Sequence, residues 1–343
     1  MRHLTALMLI ALGIGLSAAA EHDPKINETA ANYPMPSKNQ YAEGSLTSRF
    51  LKATYYLPDA ENGYYRGTRF DWSGLISRVE TGGHTFFCEF KQQHDPLNHD
   101  DICGTAEEFG ITSPPSYDRA GPGEPFVKIG IGVLERADNS GYNFSQRYKI
   151  QKPGEWKIVR GPGTIRFTQI LTGPSGWSYE FIKTIKASPD APILKITRRL
   201  KNTGTETIDT DHYGHNFLRI DNVPVGTNYT LEFPFQPRFG PDSKTQGCLE
   251  IKNRSLLFTK DPSPDQAIWV RLDGFERRED NEIRIINHRT GATMTITTDQ
   301  PLTKLVLYSS GGVLCPEPFI KLRIPPGQTQ EWTTTYRFAA SAL

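Results

Sequence analysis

From about residue 49 onward the chain alternates apolar and polar side chains with a period of two. Trp177, Tyr179, Phe181 and Ile185 fall on one face of a run, with Lys183 as a polar exception. Leu194, Ile196 and Leu200 alternate with Lys195, Thr197 and Arg199, and Ala292, Met294 and Ile296 with Thr293, Thr295 and Thr297. Val127, Ile129, Ile131 and Val133 read as one further strand. Glu61-Asn62-Gly63, Asn139-Ser140-Gly141, Asn202-Thr203-Gly204 and Arg289-Thr290-Gly291 punctuate the runs as turns. No ten-residue window carries a helical stripe. Thirty Gly and 25 Pro against four Met point the same way, since both residues break helices. Strands with one apolar face must pack sheet on sheet. The expectation is an all-β fold, a large antiparallel sandwich formed as one domain over residues 49–343. Residues 21–48, polar and carrying Pro24, Pro34 and Pro36, read as an extended N-terminal arm.

Residues 1–20 read as a cleaved secretory leader, with a basic start at Arg2, an apolar run from Leu4 to Leu16, and Ala18-Ala19-Ala20 before Glu21. As a helix that run rises about 20 Å, too short for a hydrocarbon core of about 30 Å. A secreted or periplasmic protein with no membrane attachment after cleavage is therefore expected. In an oxidising compartment Cys88, Cys103, Cys248 and Cys315 suggest disulfides. Of the three possible pairings, Cys88–Cys103 closes a short loop and leaves Cys248–Cys315; free buried thiols are the alternative. Sequons stand at Asn27, Asn143, Asn228 and Asn253. With 39 Lys+Arg against 38 Asp+Glu, the chain has no global footprint for nucleic acid or an anionic membrane.

Three segments gather polar groups against the pattern. Tyr65 to Gly74 interleaves Arg69, Asp71 and Trp72 with further aromatics, which suits a sugar: rings stack on its C–H faces and bidentate groups meet its hydroxyls. A surface hairpin with ordinary ion pairs would read similarly. His94 to Gly110 carries His99, Glu107 and Glu108 in a stretch able to gather acid–base groups; a metal set of His99 with Asp100 and Asp101, or a solvated acidic loop, are the other readings. Thr210 to Phe217 holds His212 and His215 on opposite faces if it is a regular strand, with Asn216 on the His212 face. His212 is the general-acid candidate, although a strand histidine is also commonly a satisfied core residue. Near the end, Glu317 lies between Pro316 and Pro318, whose fixed φ angles suit either a held carboxylate or an edge turn.

Taken together these residues resemble the aldose 1-epimerases, with their galactose mutarotase-like supersandwich. Thr210-Asp211-His212-Tyr213-Gly214-His215-Asn216-Phe217 is similar to the family's T-N-H-x-Y-F-N-L segment, and the tail from Tyr308 to Phe338, with Glu317, Pro326-Gly327 and Tyr336-Arg337-Phe338, is similar to its C-terminal strands. The resemblance implies Glu317 as base on the anomeric hydroxyl and a protonated His212 as acid on the ring oxygen, interconverting α and β anomers without metal or organic cofactor. It places His99 near a substrate-orienting histidine, and Arg69, Asp71 and Trp72 about the hydroxyls of a mono- or oligosaccharide. The same architecture carries polysaccharide lyases, glycoside hydrolases and non-catalytic sugar binders. In a hydrolase Glu107 or Glu108 would supply a second carboxylate to Glu317. In a lyase His212 or Tyr213 would be the base, with Arg69 neutralising a uronate.

Overall fold

The computed structural model describes residues 41–340 except 92 and 264. The expected leader, residues 21–40 of the expected arm and the sequon at Asn27 lie outside the described residues. Two large antiparallel sheets dominate. The ten-stranded one runs, in spatial order, Leu249–Lys252, Ser255–Phe258, Tyr229–Glu232, Glu282–Asn287, Ala292–Thr298, Thr329–Ala340, Ile193–Asn202, Ser178–Ala187, Thr164–Thr172 and Trp156–Gly161. The six-stranded one runs Arg238–Phe239, Ile268–Asp273, Lys304–Ser310, Val313–Ile324, Ile208–Asn216 and Thr105–Phe109. A four-stranded sheet (Glu43–Thr47 to His84–Phe86) and a three-stranded one (Pro125–Lys128, Gly132–Glu135, Lys149–Pro153) flank them. Among the described residues the only helical turns are three short 3₁₀ segments.

Two expectations are corrected. Glu43–Thr47, inside the expected arm, is a strand paired with Lys52–Tyr56, and buries Leu46 in the main core. The Val127–Val133 run is not one strand but a hairpin, with Val127 opposite Val133. The chain reverses at Gly130, whose φ of 83° suits glycine and where a Cβ would come within 2.6 Å of the Asp71 side chain.

The six-stranded sheet has a buried residue set on each side. His212, Gly214 and Asn216 face the ten-stranded sheet: the His212 ring lies 5.0 Å from Trp332, and Asn216 Oδ1 accepts from Tyr336 Oη at 2.9 Å. Between the sheets sits an ionic network rather than an all-apolar core. Glu107 receives Arg198 Nε at 3.1 Å and lies 3.2 Å from Lys183 Nζ, which also reaches Asp71 Oδ2 at 2.7 Å and donates to the Ser73 carbonyl. Arg198 Nη1 donates to Ile196 O and Thr334 Oγ1. All four charged side chains are at most 1% exposed. Lys183 and Arg198 therefore sit at apolar-face positions of their strands because Glu107 and Asp71 await them there. Burial alone would raise the Glu107 pKa, but Arg198, Lys183 and the His212 contact hold it well below the usual carboxylate range.

The cysteines are free, contrary to the expected disulfides. Cys103 lies across an isolated bridge from Glu89, and Cys88, one residue before Glu89, packs against the same aromatic cluster as Cys103 without being bonded to it. Cys248 packs in the main core and Cys315 in a separate aromatic cluster, so the other expected pair is kept apart.

The network makes a mutational prediction. Arg198→Met leaves the buried Glu107 with Lys183 as its remaining cation among the described residues and is expected to cost about 3 kcal/mol, whereas Arg198→Met with Glu107→Leu should recover much of that loss. Urea midpoints of the single and double variants measure it; an undiminished midpoint in the single variant would show that the network does not hold the sheets together.

Candidate active site

On the outward face of the same sheet, Tyr213, His215 and Phe217 alternate with the inward set, and the register continues the pattern across the neighbours: Tyr213 lies opposite Glu108 on one side and Phe319 on the other. Glu317 and Phe319 share this face with Val306 and Tyr308. The His215 ring stacks on Phe217 at 4.3 Å and its Nε2 approaches Glu317 Oε1 to 3.1 Å. This histidine, not His212, is brought to the carboxyl.

Two prolines shape the spot. The ladder between Ile208–Asn216 and Val313–Ile324 runs as far as Tyr213–Phe319 and resumes only at the isolated bridge Leu218–Leu314. Pro316 and Pro318 lie in the interval and have no N–H to contribute. The Asn216 side chain partly fills the gap, donating to Pro316 O at 2.9 Å. Glu317 is thus mid-strand, buried, and not in an edge turn.

Loops build the rest of the wall. Arg69 donates from Nε to Glu108 Oε2 at 2.9 Å and from Nη2 to Tyr213 Oη at 3.0 Å. Its guanidinium is clamped between Phe70 and Phe144, at 4.4 and 4.3 Å from the ring centres. Glu108 also accepts from Tyr213 Oη at 2.6 Å and from Lys128 Nζ at 3.0 Å, and Lys128 lies under the Tyr142 ring. His99 lies beside Phe144, and its Nδ1 is buried without a hydrogen-bond partner, as are Tyr142 Oη and His215 Nδ1. Buried polar atoms left unsatisfied are uncommon, and here three of them belong to residues around one cluster.

Burial pushes the Glu317 pKa up to about 8, with Arg69 and Lys304 opposing and Glu108 adding to the rise. Burial, then the Arg69 charge, holds His215 well below the usual histidine range. At neutral pH the pair therefore carries one proton, and it resides on Glu317. Glu108 is held ionised: burial would raise it, but Lys128, Arg69 and the Tyr213 hydroxyl outweigh that.

Of the residues singled out from sequence, Glu317, Arg69, Glu108 and His99 converge here. His212, Asp71, Glu107 and Asn216 do not: they belong to the interface between the large sheets, and Trp72 is buried in the aromatic cluster with its Nε1 donating to Gly67 O. The expected His212 acid is thereby corrected. Its Nε2 is 3.4 Å from Glu107, and burial lowers its pKa to about 4, so it is a neutral core histidine. Sequence reading missed His215, Lys128, Tyr142 and Phe144 as members of the site, and offered Tyr213 only as an alternative base. Among the described residues no group of three or more His, Cys, Asp or Glu side chains is placed to hold a metal ion.

A second histidine fixes the loop that carries His99. His94 places Nδ1 2.9 Å from Asp101 Oδ1 and Nε2 2.7 Å from Tyr64 O, while stacking on the Tyr64 ring at 4.0 Å. Both nitrogens face acceptors, so both bonds form only in the imidazolium. Burial would lower its pKa, but Asp101 and the carbonyl outweigh that and raise it.

No family profile and no curated protein matches the chain in sequence. Its fold has solved counterparts. A protein of Synechocystis sp. PCC 6803 is 11% identical with a TM-score of 0.54, covering 88% of this chain and 97% of its own. A galactose mutarotase-like protein of Clostridium acetobutylicum is 11% identical with a TM-score of 0.52, covering 89% and 100%. A galactose mutarotase related enzyme of Lactobacillus acidophilus is 12% identical with a TM-score of 0.51, covering 88% and 98%. The chain has the galactose mutarotase-like β-sandwich fold.

The histidines should titrate apart. Ring resonances followed by NMR are expected to show His94 still charged above the ordinary histidine range, His212 titrating near pH 4 and His215 well below the ordinary range. For His212 the unfolded chain binds the extra proton between about pH 6.5 and 4, so stability falls as pH drops through that window, by roughly 3 kcal/mol in all. His212→Asn should flatten that acid limb; an unchanged limb would assign it to other groups.

Proposed function

We propose that the protein is an aldose 1-epimerase in which Glu317 and His215 interconvert the anomers of a pyranose. The observation that carries this reading is the 3.1 Å approach of His215 Nε2 to Glu317 Oε1 within a buried polar cluster, where burial lowers the pKa of the imidazole and raises that of the carboxyl. Ring opening needs one group to take the C1 hydroxyl proton and another to give a proton to the ring oxygen. Those two oxygens are both bonded to C1, so one acid and one base side by side serve both. His215 Nε2 takes the hydroxyl proton, Glu317 gives its proton to O5, and the C1–O5 bond breaks to leave an aldehyde. Rotation about C1–C2 and reclosure by the reverse transfers deliver the other anomer. The intermediate leaves an imidazolium beside a carboxylate, an ion pair favoured in a low-dielectric site. The assignment exchanges the roles implied by the sequence resemblance, because the proton rests on Glu317.

A hydrolase reading lacks its second acid. Glu107 faces the other way, and both oxygens of Glu108 are occupied by Arg69, Tyr213 and Lys128. Export, read from residues 1–20, is part of the proposal and would place the reaction on sugars outside the cytoplasm.

Anomer exchange followed by NMR tests the reading. Glu317→Gln is expected to abolish acceleration and His215→Gln to lower it by about 10²–10⁴, whereas His212→Asn should retain it once folded. The rate should hold up to about pH 8 and fall above it as the pair loses its single proton. Wild-type protein that accelerates no sugar, or that releases an ultraviolet-absorbing unsaturated product from a polyuronate, would overturn it.

A further inference from the structure

We propose that the sugar this site accepts is a hexuronate, its carboxylate held by the open edge of Arg69 while its anomeric carbon meets His215 and Glu317, an inference that rests on the epimerase reading. Arg69 is built as a fixed fork. Two aromatic faces clamp it, and Glu108 and Tyr213 tether Nε and Nη2, yet among the described residues no acceptor reaches Nη1. A planar guanidinium with a free edge matches a planar carboxylate, and a neutral hydroxyl would leave its charge unanswered.

The surrounding charges favour an anion as well. Lys128 is wholly buried, and Lys304 stands 3.9 Å over the Phe319 ring with no carboxylate paired to it among the described residues. Against Arg69, Lys128 and Lys304 the site sets one ionised carboxylate, Glu108, and that one already accepts from two of the three cations. Glu317 adds no negative charge at neutral pH because burial keeps it protonated. Of the other nearby acids, Asp100 is paired with Lys91 at 3.0 Å, and Asp211 adds to the negative field on Lys128. A local cationic excess stands in a chain whose overall charge is only +1.

The covalent structure of the ligand fits this placement. In a pyranuronate the carboxylate is carried on C5, which bonds the ring oxygen, which in turn bonds C1. The anion thus lies on the same side of the ring as the bond that opens. Arg69 is near enough to both members of the catalytic pair to shift the proton affinity of each.

The test is NMR anomer exchange with glucuronate and galacturonate against glucose, galactose and glucose 6-phosphate, with calorimetric binding of each sugar to Glu317→Gln. Expected is a kcat/KM for the uronate at least about tenfold above its neutral counterpart, falling as ionic strength rises. Arg69→Gln should bring that ratio near one; should Arg69→Gln not fold, Lys304→Gln at the rim should still lower it about threefold. Neutral sugars exchanged as fast as uronates would overturn the inference and leave the epimerase reading standing. Glucose 6-phosphate preferred over glucuronate would overturn the carboxylate assignment. Saturable uronate binding with no exchange of any sugar would keep the subsite and sink the epimerase reading, and neither binding nor exchange would remove both.

Discussion

Two consecutive carboxylates on one strand, Glu107 and Glu108, tie the molecule together. Because neighbouring residues of a strand point to opposite faces, a single dipeptide supplies an anion to each side of the six-stranded sheet. Glu107 gathers Arg198 and Lys183 from the ten-stranded sheet and sets the contact between the two layers. Glu108 gathers Arg69 from a loop and Lys128 from the three-stranded sheet and fixes the wall of the site. Neither carboxylate could be buried without its cations, and neither cation set without its carboxylate. Packing of the sandwich and geometry of the site are therefore specified from the same short stretch of chain.

The division also explains why two histidines three residues apart sit in such different surroundings while burial holds both below the usual histidine range. His212 lies among Phe109, Trp332 and the Glu107 network, where a proton would add charge beside Arg198 and Lys183. His215 lies against Phe70 and Phe217 and under the influence of Arg69, and its neutrality leaves it a lone pair to offer. The carboxyl it meets is pushed toward its protonated form by burial. A protonated carboxyl and a neutral imidazole are thus favoured by burial, with Arg69 and Lys128 paired to Glu108 instead of to Glu317.

The sandwich was legible because most of its strands expose one face, and a half-buried strand writes its burial into a period of two. Arg69 and Glu317 were legible too, one by its aromatic company and the other by its prolines. The choice between His212 and His215 was not, since both faces of that strand are buried and the alternation separates the two histidines without saying which face meets the other sheet. Similarity to a T-x-H pattern favoured the first, whereas the aromatics flanking His215, Tyr213 and Phe217, were the signal for the second. Lys128, Lys183 and Arg198 each occupy an apolar-phase position, and that break in phase marks a buried counter-charge. Tyr142 and Phe144 reach the site from a long loop whose placement depends on tertiary contacts that no local pattern encodes.

The gap left by Pro316 and Pro318 bears on mechanics as well as position. His215 and Glu317 stand on adjacent strands that are bonded above and below them but not by the ladder between them, with one side-chain amide as the stitch. Their separation is consequently set by side-chain packing across the gap, while each strand stays paired to its other neighbour, His215 opposite Ala106 and Glu317 opposite Val306. On the proposed epimerase reading, a pyranose would meet the pair at a seam that lacks ladder bonds between the two strands.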